Sequence, residues 1–268
     1  MDVYRLFKLM SDRSSHNKRI AKNTLFLYLR MGLVLVVSLF STRVVLQALD
    51  IEDYGINNVV SGFVTMFAFL NTSMSNGVQR FYNFSLGRKN GYSIKDVYNT
   101  ALQIQAILAV TLLVPLETFG MWYIHTQMVI PIDRFAAAQW VFQFSVLSLV
   151  LLVLQIPYSA AIMAYEKMDY YAYLSIFDVL AKLGIAYIIK YTTFDKLILY
   201  GALNMLVSLI CFFLYYGYAK SHFQDLKSDF IIRKQLFKPM LYFSGWNGFG
   251  SFAYMIKSQG LNMLLNVF

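Results

Sequence analysis

Seven apolar stretches of bilayer-spanning length run through this chain of 268 residues, and the basic residues between them crowd onto alternate connections. The stretches lie at roughly 24–47, 55–78, 97–122, 135–158, 170–189, 197–219 and 240–264. About 20 residues of helix cross a hydrocarbon core, so each stretch is long enough. The runs are continuous and do not alternate with period two, which argues against a transmembrane barrel and for helices. Composition agrees, because 58% hydrophobic and 14% charged residues leave too little polar surface to coat a water-soluble globule. The expected fold class is all-α, a polytopic membrane protein of about seven transmembrane helices.

Orientation follows from the distribution of Lys and Arg. The amino-terminal segment holds six, the second connection four, the fourth one and the sixth five, a sum of 16 against three on the first, third and fifth connections. Basic residues are retained on the cytoplasmic side, so the amino terminus is expected in the cytoplasm. The net charge of +9 then faces anionic membrane lipid, and no nucleic-acid partner is needed to explain it. The chain divides into a basic cytoplasmic or interfacial segment (1–23), a six-helix lobe (24–219), a basic cytoplasmic linker (220–239) and a further helix (240–268). Val3, Leu6, Phe7 and Met10 have the spacing of a short interfacial helix.

Connections of at most about 20 residues leave no room for a soluble catalytic domain, so function is expected within the membrane. His16, His125 and His222 fall near or outside span ends without metal-ligand spacing, and the one cysteine, Cys211, lies within the sixth span. No nucleophile elbow or phosphate-binding loop occurs, so an enzyme is not expected, nor a cofactor or metal. A seven-helix receptor is excluded by the predicted topology, which puts the amino terminus inside.

Charges inside the spans carry the functional signal. Arg30 and Arg43 lie in the first span, Lys182 in the fifth and Lys257 in the seventh. At a helix centre each costs about 2.5–3.5 kcal/mol against lipid, so the four are expected to form a cationic path along a hydrated interior. Arg30 and Arg43 have the alternative of snorkelling to a headgroup, and they stand about 220° apart around one helix, so they do not share a narrow stripe. Asp178 and Lys182 have the i, i+4 spacing of an intrahelical ion pair, which either neutralises itself or opens to a ligand or coupling ion. The small and amide residues at 71–79 suit close helix packing, and the abundant Tyr and Phe suit an interfacial aromatic belt.

Several strings then converge on one family. Asp53-Tyr54-Gly55 after the first span resembles the acidic Tyr-Gly turn of Wzx-type polysaccharide flippases. Gly77-Val78-Gln79-Arg80-Phe81 resembles, one residue shorter, their Gly-x-x-x-Arg-Phe signature, and Pro157-Tyr158 followed by Tyr165-Glu166-Lys167-Met168 is similar to the turn joining their fourth and fifth helices. The resemblance implies the multidrug/oligosaccharidyl-lipid/polysaccharide exporter superfamily, built of two six-helix lobes that alternate access across the cytoplasmic (inner) membrane. It implies a polyprenyl-pyrophosphate-linked oligosaccharide as substrate, for O-antigen, lipopolysaccharide or capsule assembly, and other polysaccharide-assembly proteins as partners. Coupling to a proton or sodium gradient is implied likewise, with Asp178 as gate or coupling residue. A weak repeat at an offset of 216 residues matches Leu25, Gly32 and Leu49 to Leu241, Gly248 and Leu265, so the seventh helix is expected to open a second, truncated lobe. A multidrug or lipid II exporter of the same superfamily and an inactive scaffold are the alternatives. One intramembrane acid against four bases favours an anionic substrate over a drug cation.

Overall fold

Long apolar runs whose few Pro and Gly lie far apart propagate as single helices, and the computed structural model is helical in every regular element among the described residues. It describes the backbone of residues 3–87, 91–126, 128, 130–226 and 234–267, and side chains within 21–253 other than 63, 65, 68, 88–90, 127, 129 and 227–234. In chain order the helices are α1 (Val3–Thr65), α2 (Ala68–Leu86), α3 (Ile94–Pro115), α4 (Met121–Thr126), α5 (Phe135–Ala164), α6 (Met168–Lys190), α7 (Lys196–His222) and α8 (Lys234–Val267). Five stretches are long and apolar enough to cross a membrane: Ala21–Gly62, Ile94–Thr126, Ile132–Ala164, Met168–Lys190 and Lys196–His222. The protein is an all-α, multi-pass membrane protein.

The joints between helices depart from the expected ones in instructive ways. The 63-residue α1 folds back at a single residue, Asp50 (φ 64°, ψ 170°), so the first turn is a sharp kink and needs no loop. The expected span 55–78 is interrupted at Met66 and Phe67 between α1 and α2. Pro157 and Tyr158 lie inside α5, which runs one and a half turns past the expected end of its span, to Ala164. The turn to α6 is made by Glu166 alone in left-handed conformation (φ 57°). Its N–H donates to the Met163 carbonyl (3.0 Å) and that of Lys167 to Ile162 (3.0 Å), the paired bonds of a Schellman cap with Glu where Gly is usual. The backbone of α1 begins at Val3, and the side chains of Val3, Leu6, Phe7 and Met10 lie outside the described residues.

Packing centres on α5, which contacts α7, α2, α3 and α1, while α6 lies against α1 and α7. Gly201 lets α7 approach α5 closely: a methyl group there would come within 3.2 Å of the Phe144 ring and 3.3 Å of Val141. At the end where α5 meets α6, the aromatic residues stack between helices. Tyr165 lies on Phe223 (4.1 Å between centroids), Tyr170 on Tyr218 (3.5 Å), and Tyr158 contacts Tyr98, Phe212 and Tyr216 edge-on. Burial, and then the neighbouring Asp225 carboxylate, push the Tyr165 phenol up to about 12, so it stays protonated and donates to that carboxylate (3.3 Å). These tyrosines thus pack between helices against the buried core.

The last helix is fastened to the bundle by small residues. Ser73 and Gly77 on α2 face Ser244 and Gly248 on α8: the Ser73 hydroxyl donates to the Ser244 carbonyl, and Gly248 leaves the Ser73 hydroxyl just enough room. A Cβ at Gly77 would stand 2.0 Å from the Ser244 hydroxyl. Two reciprocal small-x-x-x-small pairs thus bring the helices close. One turn on, the Arg80 guanidinium covers the Phe243 ring (4.0 Å) and that of Phe84 (5.2 Å). Gly77 and Arg80 thus lie at the α2–α8 contact, and neighbouring Phe81 packs against the buried core. Replacing Gly77 with Ala is expected to destabilise the detergent-solubilised protein by about 2 kcal/mol through overpacking. Adding Ser244→Gly removes the clash and should restore most of the thermal unfolding midpoint.

Candidate functional site

Two polar stripes of identical spacing create the interior of the lobe. On α6, Tyr171, Ser175, Asp178 and Lys182 recur at i, i+4, i+7 and i+11; on α7, Asn204, Ser208, Cys211 and Tyr215 do the same. That periodicity places each set on one helical face, and the faces meet α1 and α5 around a cavity of about 600 Å³. Arg30, Asn57 and Ser61 of α1 and Ser145, Ser148 and Gln155 of α5 add to its polar lining, with Leu149, Leu152 and Val34 among the apolar lining.

The charges inside are unequally matched. Lys182 Nζ donates to Asp178 Oδ2 at 2.9 Å, closing the expected i, i+4 pair. The Cys211 thiol lies 4.0 Å from the other oxygen, Asp178 Oδ1. Arg30 has no carboxylate within ion-pair distance among the described residues. Its Nη1 donates to the Ser175 hydroxyl (3.3 Å), its guanidinium lies over the Tyr171 ring (5.0 Å), and its buried Nε has no partner. Arg30 and Lys182 of the expected path and the expected gate Asp178 are thus brought together from two helices. Arg43 is exposed on α1 and does not line the cavity, and the Lys257 side chain lies outside the described residues.

A second charged group ties one end of the bundle together. Arg134, just before α5, donates from Nη2 to Asp53 Oδ2 (2.6 Å) and from Nη1 to Asp195 Oδ2 (2.7 Å). Asp53 follows the α1 kink with a side chain only 5% exposed, and Asp195 uses its other oxygen to cap α7 through Leu197 N–H and Ile198 N–H. The first, third and fifth connections therefore meet at one end, the alternation that the sparse positive charge of those connections implied. The Asp53 of the Tyr-Gly turn anchors this clasp, while Tyr54 packs on the α1–α6–α7 core and Gly55 meets no neighbour that would crowd a methyl group. Arg134 was the lone basic residue of its connection, and nothing in its local sequence announces two partners 81 and 61 positions away. Glu117, half-buried where α3 passes through a π-helical turn, accepts from Gln143 of α5 (2.9 Å) and is a second intramembrane acid that the apolar window concealed.

With the fold and the cavity described, similarity to other proteins can be placed. No family model matches the chain, and no curated protein sequence matches it. Among solved structures it is similar to a MOP superfamily transporter from Pyrococcus furiosus, with a TM-score of 0.69 at 13% sequence identity. The two chains share a fold. The likeness covers 90% of this chain and 55% of that one, so the chain spans about half the length of the transporter it matches. The fold of this chain is therefore one found in a transporter of that superfamily.

Removing Arg134 would leave the Asp53 carboxylate buried without a counter-charge. Arg134→Ala is expected to cost about 3 kcal/mol, and Asp53→Asn in the same chain to recover part of it. Thermal unfolding of the single and double variants in detergent measures both effects.

Proposed function

We propose that the chain belongs to an exporter that carries polyprenyl-pyrophosphate-linked oligosaccharide across the cytoplasmic membrane by alternating access. In this reading residues 24–219 form its amino-terminal lobe, the amino terminus lies in the cytoplasm, and α8 begins a second lobe. The observation that carries the proposal is a net cationic cavity among the span-length helices, lined by Arg30, Lys182 and Asp178 together with amides and hydroxyls. A sugar-diphosphate head is too polar for hydrocarbon and needs donors and positive charge along its route. A drug cation would meet two bases and a single carboxylate here, so the charge balance favours an anionic substrate. The likeness in fold to a MOP superfamily transporter supports transport as the class of function.

The Asp178–Lys182 pair supplies a physical route to coupling. A proton or sodium ion taken up by Asp178 weakens its hold on Lys182, and the released ammonium joins Arg30 in attracting the substrate. When the ion leaves, the pair re-forms and the substrate loses that partner. The clasp of Arg134 with Asp53 and Asp195 holds three connections together while the interior changes.

Export is tested in a flippase-deficient strain complemented with the native gene. Asp178→Asn and Lys182→Gln should each lower surface polysaccharide by on the order of tenfold, equivalent to ~1.4 kcal/mol on the limiting step. Arg43→Gln should leave it near wild type. Full export with Asp178→Asn removes the coupling role, and failure of the wild-type gene to restore any polysaccharide removes the substrate assignment.

A further inference from the structure

The clasp where the first, third and fifth connections meet holds one cation between two acids, and the two acids are not equivalent. Asp195 accepts three donors: the Leu197 and Ile198 N–H groups on Oδ1 (3.0 Å each) and Arg134 Nη1 on Oδ2 (2.7 Å). Hydrogen bonds donated to a carboxylate favour its charged form. Asp53 accepts Arg134 Nη2 on Oδ2 (2.6 Å), but its Oδ1 is shielded from solvent and accepts nothing, in a side chain only 5% exposed. Burial penalises charge on a carboxyl group, and a bare anionic oxygen costs more there than a neutral hydroxyl. The other charges facing Asp53 are Asp195 before α7 and Glu52 and Asp50 on its own helix, so Arg134 is one positive charge among four acids.

We propose that Asp53 is a proton-binding site and that a proton on its Oδ1 holds this end of the bundle closed. The neutral carboxyl keeps the Arg134 hydrogen bond through Oδ2, while Arg134 and Asp195 remain a balanced ion pair. Without the proton the clasp carries excess negative charge, and the strained turn beside it favours opening. Asp50, three residues before Asp53, has φ 64° and ψ 170°, a conformation that residues with a Cβ rarely adopt and that persists where neighbouring contacts impose it. The helix that follows is interrupted again at Met66 and Phe67, so residues 51–65 form a segment with a joint at each end. That segment carries Asn57, Ser61 and Val64 of the cavity wall, so closing the clasp seats the wall. Linkage sets the sign: a carboxyl group that holds its proton more tightly in the closed form favours closure in acid, and the effect is lost as the pH rises. The export reading places this end outside the cytoplasm, but the site stands on the clasp alone.

Ile51 and Ile132 are exposed neighbours of the clasped residues, and spin labels at Ile51→Cys and Ile132→Cys in a Cys211→Ser background of the full chain report the clasp in lipid nanodiscs. Double electron–electron resonance should give one short distance at about pH 5 and a longer component at about pH 8. Asp53→Asn, a neutral mimic of the protonated form, should keep the short distance at both, while Glu52→Gln should retain the response. Infrared difference spectra of the unlabelled chain between the same two conditions should show a protonated-carboxyl C=O band that Asp53→Asn removes. A distance that ignores pH, a longer component that appears in acid, or a response that persists in Asp53→Asn overturns the proposal. If Asp53→Asn does not fold, Asp53→Glu takes its place: it should move both the C=O band and the midpoint of the distance change, and if neither moves the proposal fails. None of these readouts depends on transport, so failed complementation leaves the proton site standing, and loss of the pH response leaves the export reading untouched.

Discussion

A charged side chain in the hydrocarbon core must find water or a counter-charge, and the interior of this protein is arranged around that requirement. The α6 and α7 stripes are polar at the same four register positions, so each helix buries its polar face against the other and presents apolar residues outward. Leu180 and Tyr187 on α6 and Leu206 and Phe213 on α7 point away from the bundle. The cavity is thus the consequence of placing Arg30, Asp178 and Lys182 at membrane depth: without the hydrated volume their combined desolvation would run to several kcal/mol. A salt bridge alone would satisfy Asp178 and Lys182, but Arg30 turns a self-neutralised pair into a site with an unmet charge.

Side-chain ties flank this cavity at both ends. At one end Arg134 gathers Asp53 and Asp195, and the same Asp195 carboxylate caps α7, so one residue sets both where α7 starts and how it sits against α5. At the other end tyrosines from α5, α6 and α7 stack across helices, and the Glu166 cap reverses the chain in one residue. The seam of Ser73, Gly77, Ser244 and Gly248 joins α8 to α2 by close backbone approach.

Much of this was legible in the sequence because the membrane imposes simple rules. Span length and continuity specified helices, the basic residues separated the two ends, and Asp178 with Lys182 was readable as an i, i+4 pair. Arg30 was readable as a charge but not as one lacking a counter-ion, since that depends on how α1 meets α6. The hinge at Asp50 and the passage of α5 beyond Pro157 escaped because both are set by tertiary packing and not by local propensity. Asn204, Ser208 and Cys211 carried a signal, the spacing shared with α6, yet in an apolar window such residues read as tolerated small polar groups. The Arg134 clasp left no local trace at all, because its partners are distant in the chain.

The central claim is that the polar faces of α6 and α7 border water inside the lobe while their opposite faces border lipid. Nitroxide labels at Val179 and Ser208, which line the cavity, and at Leu180 and Tyr187, each about half exposed on the outer face, test it in reconstituted bilayers. Collisional relaxation should be dominated by a water-soluble nickel complex at 179 and 208 and by oxygen at 180 and 187, a reversal between adjacent residues 179 and 180. Oxygen-dominated relaxation at all four positions would mean that the interior is dry and would contradict the account.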